Sequence, residues 1–236
     1  MQLGRNRVEA LTDGVFAVAM TLLVLDIKVP ELEQSLSSAE LPFRLLALWP
    51  KFLTYAISFV ILGVYWVGHH MQLSFIRSAD RPLLWINILF LLWVALVPFS
   101  TALLSEYTKH RLAIVVYGAN LIAIGLTLAL HWWYATSRRR HVDPDVDPGL
   151  VRTAMLRVLM GPLLYLLGIA ISIFSTELSL ALYALIPVLY ILPGRLDIHW
   201  GMRAQEKSKR DRAEAKKNMR MPSFVAVLVT CGAGRL

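Results

Sequence analysis

Six apolar segments, each close to the length that crosses a lipid bilayer, constrain the fold of this chain more than any other feature. A spanning helix needs about 20 mainly apolar residues. The chain has 236 residues, of which 57% are hydrophobic and 17% are charged, whereas soluble domains carry about 25% charged residues. The candidate spans are residues 8–27, 52–70, 82–104, 112–136, 152–174 and 178–195. The sequence therefore predicts an all-α, multi-pass membrane protein with six transmembrane helices.

The basic residues indicate how these spans are oriented. With the N-terminus in the cytoplasm, 19 of the 24 lysines and arginines fall on the cytoplasmic side and 5 on the other. Such an excess is typical of cytoplasmic loops. We therefore expect both termini in the cytoplasm, a six-helix domain over residues 1–200 and a basic cytoplasmic tail over 201–236. The net charge of +8 then reflects orientation and contact with lipid headgroups rather than nucleic-acid binding.

Motifs for catalysis, cofactors or metals are missing from the sequence. The only cysteine is Cys231, which excludes an intrachain disulfide and a cysteine metal cluster. His69 and His70 are adjacent, and adjacent side chains on a helix point about 100° apart, whereas zinc helices use a pair four residues apart. Hydrogen bonding, proton sensing and metal binding are the alternatives for this pair, and we favour hydrogen bonding. We expect no enzyme activity, no metal and no cofactor.

The first apolar segment carries ionisable residues near its start, namely Arg7, Glu9 and Asp13. Each costs at least about 2.5 kcal/mol near the centre of a bilayer, so these groups should face protein or water. On a helical wheel, Glu9 and Asp13 lie opposite an apolar stripe with one hydroxyl. The stripe comprises Leu11, Gly14, Val18, Thr21, Leu22 and Leu25. Such a stripe usually serves packing or lipid contact.

Partners for the acidic face are available at the same depth of the membrane. The second span ends with Trp66, His69 and His70, and the third begins with Trp85 and Asn87. Because a buried carboxylate needs partners, we expect these side chains and Asp13 to form one hydrogen-bonded layer between helices.

The ordered set of these motifs resembles the transmembrane protein 175 potassium channel family, over residues 7–104. The family signature R-x-x-x-F-S-D is matched at Arg7 and Asp13, with Leu11 in place of Phe and Thr12 in place of Ser. Further resemblances are W-x-x-H-H at residues 66–70, W-x-N at 85–87 and V-P-F-S-T at 97–101.

The resemblance implies a potassium-selective channel subunit of six helices, tetrameric in bacterial members, in the cell inner membrane of a bacterium. It implies that the first helix lines the pore, with a constriction at Val18, Leu22 and Leu25, a hydroxyl layer at Thr21, and K⁺ as the permeant ion. It also implies a structural polar network that joins the helices, formed by Arg7, Asp13, His69, His70, Trp85 and Asn87.

A proton-coupled secondary transporter subunit, with Asp13 and the histidines as a proton relay, is the alternative. Transporters of this kind are built from inverted repeats and broken helices near the bilayer midplane. Neither feature is clear in the sequence, and we therefore favour the channel.

Overall fold

The computed structural model describes residues 5–30, 41–137, 141–142 and 146–191, and the basic tail lies outside these ranges. Within them the chain forms eight α-helices and one short 3₁₀ segment, Leu23–Asp26, which continues directly from α1. The helices are α1 (Arg5–Leu22), α2 (Leu41–Ala47), α3 (Trp49–Phe75), α4 (Arg81–Ala95), α5 (Val97–Glu106), α6 (Arg111–Thr136), α7 (Pro148–Ile171) and α8 (Thr176–Ile191).

Five helical stretches in the described part of the chain are long and apolar enough to cross a membrane. They are Asn6–Asp26, Trp49–Phe75, Arg81–Glu106, Arg111–Thr136 and Pro148–Ile171, which matches five of the six predicted spans. Helix α8 is apolar but has only 16 residues, and the last residues of the predicted sixth span, 192–195, lie outside the described residues. The multi-pass, all-helical architecture is therefore confirmed, whereas the sixth span stays a prediction.

Successive spans run in opposite directions, so the bundle has two ends. We call the end where α1 begins, α3 stops and α4 starts the proximal end, and the opposite end the distal end. Contacts at both ends define this arrangement, because Glu9 of α1 lies beside His70 of α3 at the proximal end, and Lys51 of α3 lies beside Glu106 of α5 at the distal end.

The third span is interrupted at Leu96, a break that the sequence analysis did not identify. Helix α4 ends at Ala95 and α5 begins at Val97. Pro98 is the second residue of α5, where it has no N–H to bond to the preceding turn, and such a proline kinks a helix. The third span is therefore a pair of helices joined directly through Leu96, whose backbone stays in the right-handed helical region, and each helix makes its own contacts.

Helix α6 is the centre of the bundle. In its most apolar stretch 61% of the residues are buried, against 22–39% in the other four spans. Its contact with α7 is very close at Gly125, where an added Cβ would lie 2.5 Å from Cγ of Pro162. The pore-helix candidate α1 is instead peripheral and contacts α3, α4 and α5.

The start of α4 is fixed by Asp80. Its carboxylate accepts hydrogen bonds from the Leu83 backbone N–H (3.0 Å) and the Tyr134 hydroxyl (2.8 Å), and it lies 3.2 Å from Nε2 of His141. Burial alone would raise the pKa of Asp80, but these hydrogen bonds and the neighbouring His141 hold that pKa below its ordinary value. The anchored first turn of α4 sets the position of Asn87, which lies about two turns further along.

We expect Asp80 to stabilise the folded protein in a pH-dependent manner. A carboxyl group with a lowered folded-state pKa contributes stability above its ordinary pKa, and this contribution is lost as the pH falls through the lowered value. Asp80→Asn, which keeps a helix-capping side chain but removes the charge, should lower the thermal unfolding temperature at neutral pH. The difference from the unsubstituted protein should shrink below about pH 4.

Asp80→Ala is the matched comparison, since it removes the cap as well as the charge. Its deficit should exceed that of Asp80→Asn at neutral pH and should persist in acid. If Asp80→Asn lowered the unfolding temperature by the same amount at every pH, the assigned role of the charge would be contradicted.

Candidate pore helix and its polar attachments

Helix α1 and the 3₁₀ segment after it have one buried side. This side faces α3, α4 and α5 and follows the helical period, with intervals of three or four residues between its members. The buried residues are Val8, Thr12, Phe16, Ala19 and Leu23. Phe16 packs against Phe90 of α4 with ring centroids 5.9 Å apart. One side of the first span therefore packs against helices of its own subunit.

The other side of this span carries the predicted stripe, and it is exposed. Val18 is 56% exposed, Leu22 42% and Leu25 70%, and Thr21 is exposed as well. Large aliphatic side chains in such numbers need a lipid or protein neighbour outside the subunit. The subunit thus leaves free the residues that the resemblance assigns to a constriction.

The Thr21 hydroxyl bonds back to its own helix. Its oxygen lies 3.0 Å from the Ala17 carbonyl oxygen and 2.9 Å from that of Val18, as helical threonines often do. The hydroxyl has a single hydrogen, which this contact uses. The lone pairs of the oxygen stay available to a donor or a cation on the exposed side, so the backbone contact and an ion contact are compatible.

A buried amide joins the first three spans. Nδ2 of Asn87 donates to the Thr12 hydroxyl (3.3 Å), and Oδ1 of Asn87 lies 2.8 Å from Nε2 of His69. An amide oxygen only accepts, so Nε2 of His69 carries the proton and donates. All three residues are buried, and the His69 ring stacks on Phe90 at 5.0 Å. We call Thr12, Asn87 and His69 the amide bridge.

The polar layer continues from the amide bridge into α6. The rings of His69 and His131 lie 5.3 Å apart, and Nδ1 of His131 lies 3.0 Å from Oε1 of Gln72. Gln72 in turn donates from Nε2 to the Leu128 carbonyl (3.3 Å). His131 therefore holds its proton on Nδ1, and four of the spans share one buried layer of amide, imidazole and hydroxyl groups.

The acidic residues of α1 contact α3 at the edge of this layer. Nε1 of Trp66 donates to Oδ1 of Asp13 at 2.8 Å. Nδ1 of His70 lies 3.3 Å from Oε1 of Glu9, and the His70 ring stacks on Trp66 at 5.6 Å. His69 and His70 thus serve two different contacts, and within the described residues no group of three potential metal ligands occurs.

The structure brings together Asp13, His69, His70 and Asn87 of the predicted network, but it places Arg7 and Trp85 differently. Arg7 is exposed at the start of α1, and Trp85 is 67% exposed. Among the described residues, neither side chain joins the layer. Any role of these two residues in joining helices stays a prediction.

Several members of the layer were missed by the sequence analysis. Thr12 occupies the Ser position of the family signature, and that hydroxyl was the available signal. Gln72 and His131 lie on spans where a single polar residue in an apolar run has many possible neighbours. The sequence could not predict that Trp66 pairs with Asp13 and His70 with Glu9, because these contacts depend on the rotation of α1 relative to α3.

Both the sequence and the fold of this chain are similar to those of known potassium channels. The sequence model described as "Endosomal/lysosomal potassium channel TMEM175" matches residues 7–98. A potassium channel of Streptomyces collinus is 38% identical over 189 residues, which cover 78% of this chain and 90% of that relative. The crystal structure of a lysosomal potassium-selective channel TMEM175 homolog from Chamaesiphon minutus aligns with a TM-score of 0.70 and 36% identity, covering 80% of this chain and 96% of that chain.

This chain belongs to the TMEM175 family. The TMEM175 match spans α1, α3 and α4 and therefore includes the whole amide bridge, whereas His131 on α6 lies beyond it. The rat protein named endosomal/lysosomal proton channel TMEM175 is 29% identical over 204 residues, which cover 79% of this chain and 40% of that relative. The TMEM175 family is a family of ion channels and not of enzymes.

We expect Asp13→Ala to destabilise the folded protein through loss of the Trp66 contact. A hydrogen bond to a charged group contributes about 1.5–3 kcal/mol, and the exposure of Asp13 places the loss near the lower value. Thermal unfolding and the yield of monodisperse purified protein measure the effect. Trp66→Phe removes the same hydrogen bond from the other side and should lose a similar amount, and an unaffected Asp13→Ala protein would contradict the assigned contact.

Proposed function

We propose that this TMEM175 chain is one subunit of a homotetrameric potassium channel in the inner membrane of a bacterium. Each subunit has six spans, with α8 as part of the sixth, and the proximal end and both termini lie in the cytoplasm. The channel prefers K⁺, needs no cofactor and binds the lipid bilayer rather than nucleic acid.

The observation that carries this proposal is that the first span has one buried side and one exposed apolar side. One side is packed and hydrogen-bonded to α3 and α4, while Val18, Leu22 and Leu25 stay exposed. Four copies around an axis would place these side chains in rings that face one another. The relatives from Streptomyces and Chamaesiphon are named potassium channels, which supports potassium as the ion.

The exposed stripe suits a hydrophobic constriction. From Val18 to Leu25 the first span advances about 12 Å, because the 3₁₀ segment rises about 2 Å per residue, so three aliphatic rings and one hydroxyl ring stack along the path. Such a constriction closes by dewetting when it is too narrow for a continuous column of water. The apolar rings would form the barrier, and the Thr21 ring would offer oxygen contacts to a partly dehydrated ion.

The polar layer holds this helix in place. Asp13, His69, His70 and Asn87 lie on the side away from the stripe or on neighbouring helices, so they fix the rotation of α1 without entering the ion path. Arg7 and Trp85 lie at the surface of the subunit, where copies or lipid headgroups are their available partners.

Reconstitution of the purified chain in planar lipid bilayers tests the function. With K⁺ on one side and Na⁺ on the other, a channel gives unitary current steps and a reversal potential shifted toward that of K⁺. Steady current without unitary steps and with a reversal potential set by a proton gradient would instead support the coupled transporter. Reversal at zero potential would reject the potassium preference.

We expect a cysteine at Leu25 to be accessible from the ion path. In a Cys231→Ser background, a charged, water-soluble thiol reagent should block the current of Leu25→Cys. Leu163→Cys is the matched control, because Leu163 is also strongly exposed (65%) but lies on α7, which is not part of the proposed pore. Block of Leu163→Cys with no effect at Leu25 would reject the pore assignment.

We expect Thr21→Val to lower the ratio of K⁺ to Na⁺ permeability. Valine keeps the shape of threonine and removes the hydroxyl, so the aliphatic barrier stays while the oxygen ring is lost. Reversal potentials under asymmetric K⁺ and Na⁺ measure the change. An unchanged ratio would leave the Ala17 and Val18 backbone contacts as the whole role of this hydroxyl.

A further inference from the structure

A side-chain hydrogen bond attaches the distal end of the first span to the third span, beyond the buried Leu23. The Ser105 hydroxyl lies 2.5 Å from Oδ2 of Asp26, the last residue of the 3₁₀ segment, and 3.0 Å from the Ala102 carbonyl. The carboxylate and the carbonyl both only accept, so the single serine hydrogen is divided between them, and the nearer, charged oxygen of Asp26 is the stronger acceptor.

The next residue of α5 attaches it to the second span. Oε2 of Glu106 accepts from Nζ of Lys51 at 2.8 Å. Adjacent side chains on a helix diverge by about 100°, so the last turn of α5 reaches the first and second spans at once. We call Asp26, Ser105, Glu106 and Lys51 the distal clasp.

The first half of α5 is also fixed. Nδ2 of Asn120 donates to the Ser100 hydroxyl (3.1 Å), and the Thr101 hydroxyl donates to Ser58 (3.0 Å), which is bonded to Tyr117 (3.0 Å). These groups are buried. Helix α5 is therefore a short element with its own attachments to α3 and α6, separated from α4 by the break at Leu96.

The 3₁₀ segment depends on this support. A 3₁₀ turn has weaker hydrogen-bond geometry than an α-helix and is used in short pieces. Here it carries the exposed Leu25 on one side and the buried Leu23 on the other. Since Asp26 follows Leu25 directly, the Ser105 hydrogen bond fixes the end of the segment that bears the last leucine of the stripe.

We propose that Ser105 is a positioning residue for the pore, which acts through Asp26 to set how far Leu25 and Leu22 project toward the channel axis. The proposal rests on the proposed function of α1 as the pore helix. Ser105 itself does not touch the ion. Its loss frees Asp26 and the adjacent Leu25, beyond the buried Leu23, and widens the outer leucine rings, which then exclude hydrated Na⁺ less well.

Ser105→Ala in the full chain, reconstituted in planar bilayers, tests the proposal. We expect the ratio of K⁺ to Na⁺ permeability to fall toward one, because wider leucine rings no longer discriminate between the two hydrated ions. Ser105→Thr keeps the hydroxyl and should restore the ratio. Ser172→Ala is the control, because Ser172 is a buried serine at the distal end of α7 whose hydroxyl bonds locally to Ile169.

A purely structural role makes a different prediction. In that case Ser105→Ala would lower the unfolding temperature far more than Ser172→Ala and leave the permeability ratio of the surviving channels unchanged, which overturns the proposal. An unchanged ratio in a stable Ser105→Ala channel overturns it as well.

Asp26→Asn is a second variant that tests the proposal if Ser105→Ala does not fold. It separates the positioning of the first span from the effect of the Asp26 charge. Asparagine still accepts the serine hydrogen bond, though without charge. A positioning role therefore predicts that the ratio of K⁺ to Na⁺ permeability falls less than in Ser105→Ala, and by the same amount at every ionic strength. If Asp26 instead acts as a charge that attracts cations, Asp26→Asn lowers the conductance at about 0.01 M salt but not at about 1 M and leaves the ratio intact, which overturns the proposal. If the unsubstituted protein carries no K⁺ current, the proposed function itself is rejected. That result differs from every outcome described for the Ser105 and Asp26 variants.

Discussion

The hydrogen bonds of Asn87 with Thr12 and His69 are the interaction on which the placement of the first span depends. They lie within a bundle where a lost partner is not replaced by water, and an unsatisfied buried polar group costs about 1–3 kcal/mol. An amide with one donor partner and one acceptor partner also permits only one rotation of α1 relative to α3 and α4. Apolar packing of Phe16 and Ala19 alone would tolerate a slide or a turn of the helix more readily.

The break of the third span gives the two halves of the first span separate supports. Helix α4 carries Asn87 and holds the proximal half of α1, whereas α5 carries Ser105 and holds the 3₁₀ segment. Between these two supports lies the stretch that bears Val18, Thr21 and Leu22. A hydrophobic constriction needs side chains at a defined distance from the axis, because the transition between wet and dry states depends steeply on the radius.

The sequence predicted the spans well, because apolar length is a property that each segment carries by itself. It also predicted the depth at which polar groups meet, since antiparallel spans bring the start of the first, the end of the second and the start of the third to one level. It could not predict which groups pair. Trp85 and Trp66 are equally plausible neighbours of Asp13 by depth, and only the rotation of each helix selects Trp66.

Other features escaped prediction because they depend on geometry across distant parts of the chain. Pro98 signals a possible kink, but many prolines in spans are accommodated without a break, so the split at Leu96 required the structure. His131 lies 62 residues beyond His69 in the numbering, and no local pattern connects them. The 3₁₀ end of the first span has no sequence signature of its own, since Leu23 and Val24 suit an α-helix equally.

The peripheral position of α1 and the central position of α6 have a consequence for engineering and for divergence among relatives. Most of the packing of a subunit surrounds α6, and α1 adds only one of its sides to this core. The first span is joined to the rest through the side chains of its buried side, through the contacts of Glu9 and Asp13 with α3, and through the acceptor at Asp26. A first span from a relative with other residues in the stripe can be grafted without repacking the core, provided that those contacts are kept. On the proposal that α1 lines the pore, new permeation properties can thus arise by substitution on one face of one helix.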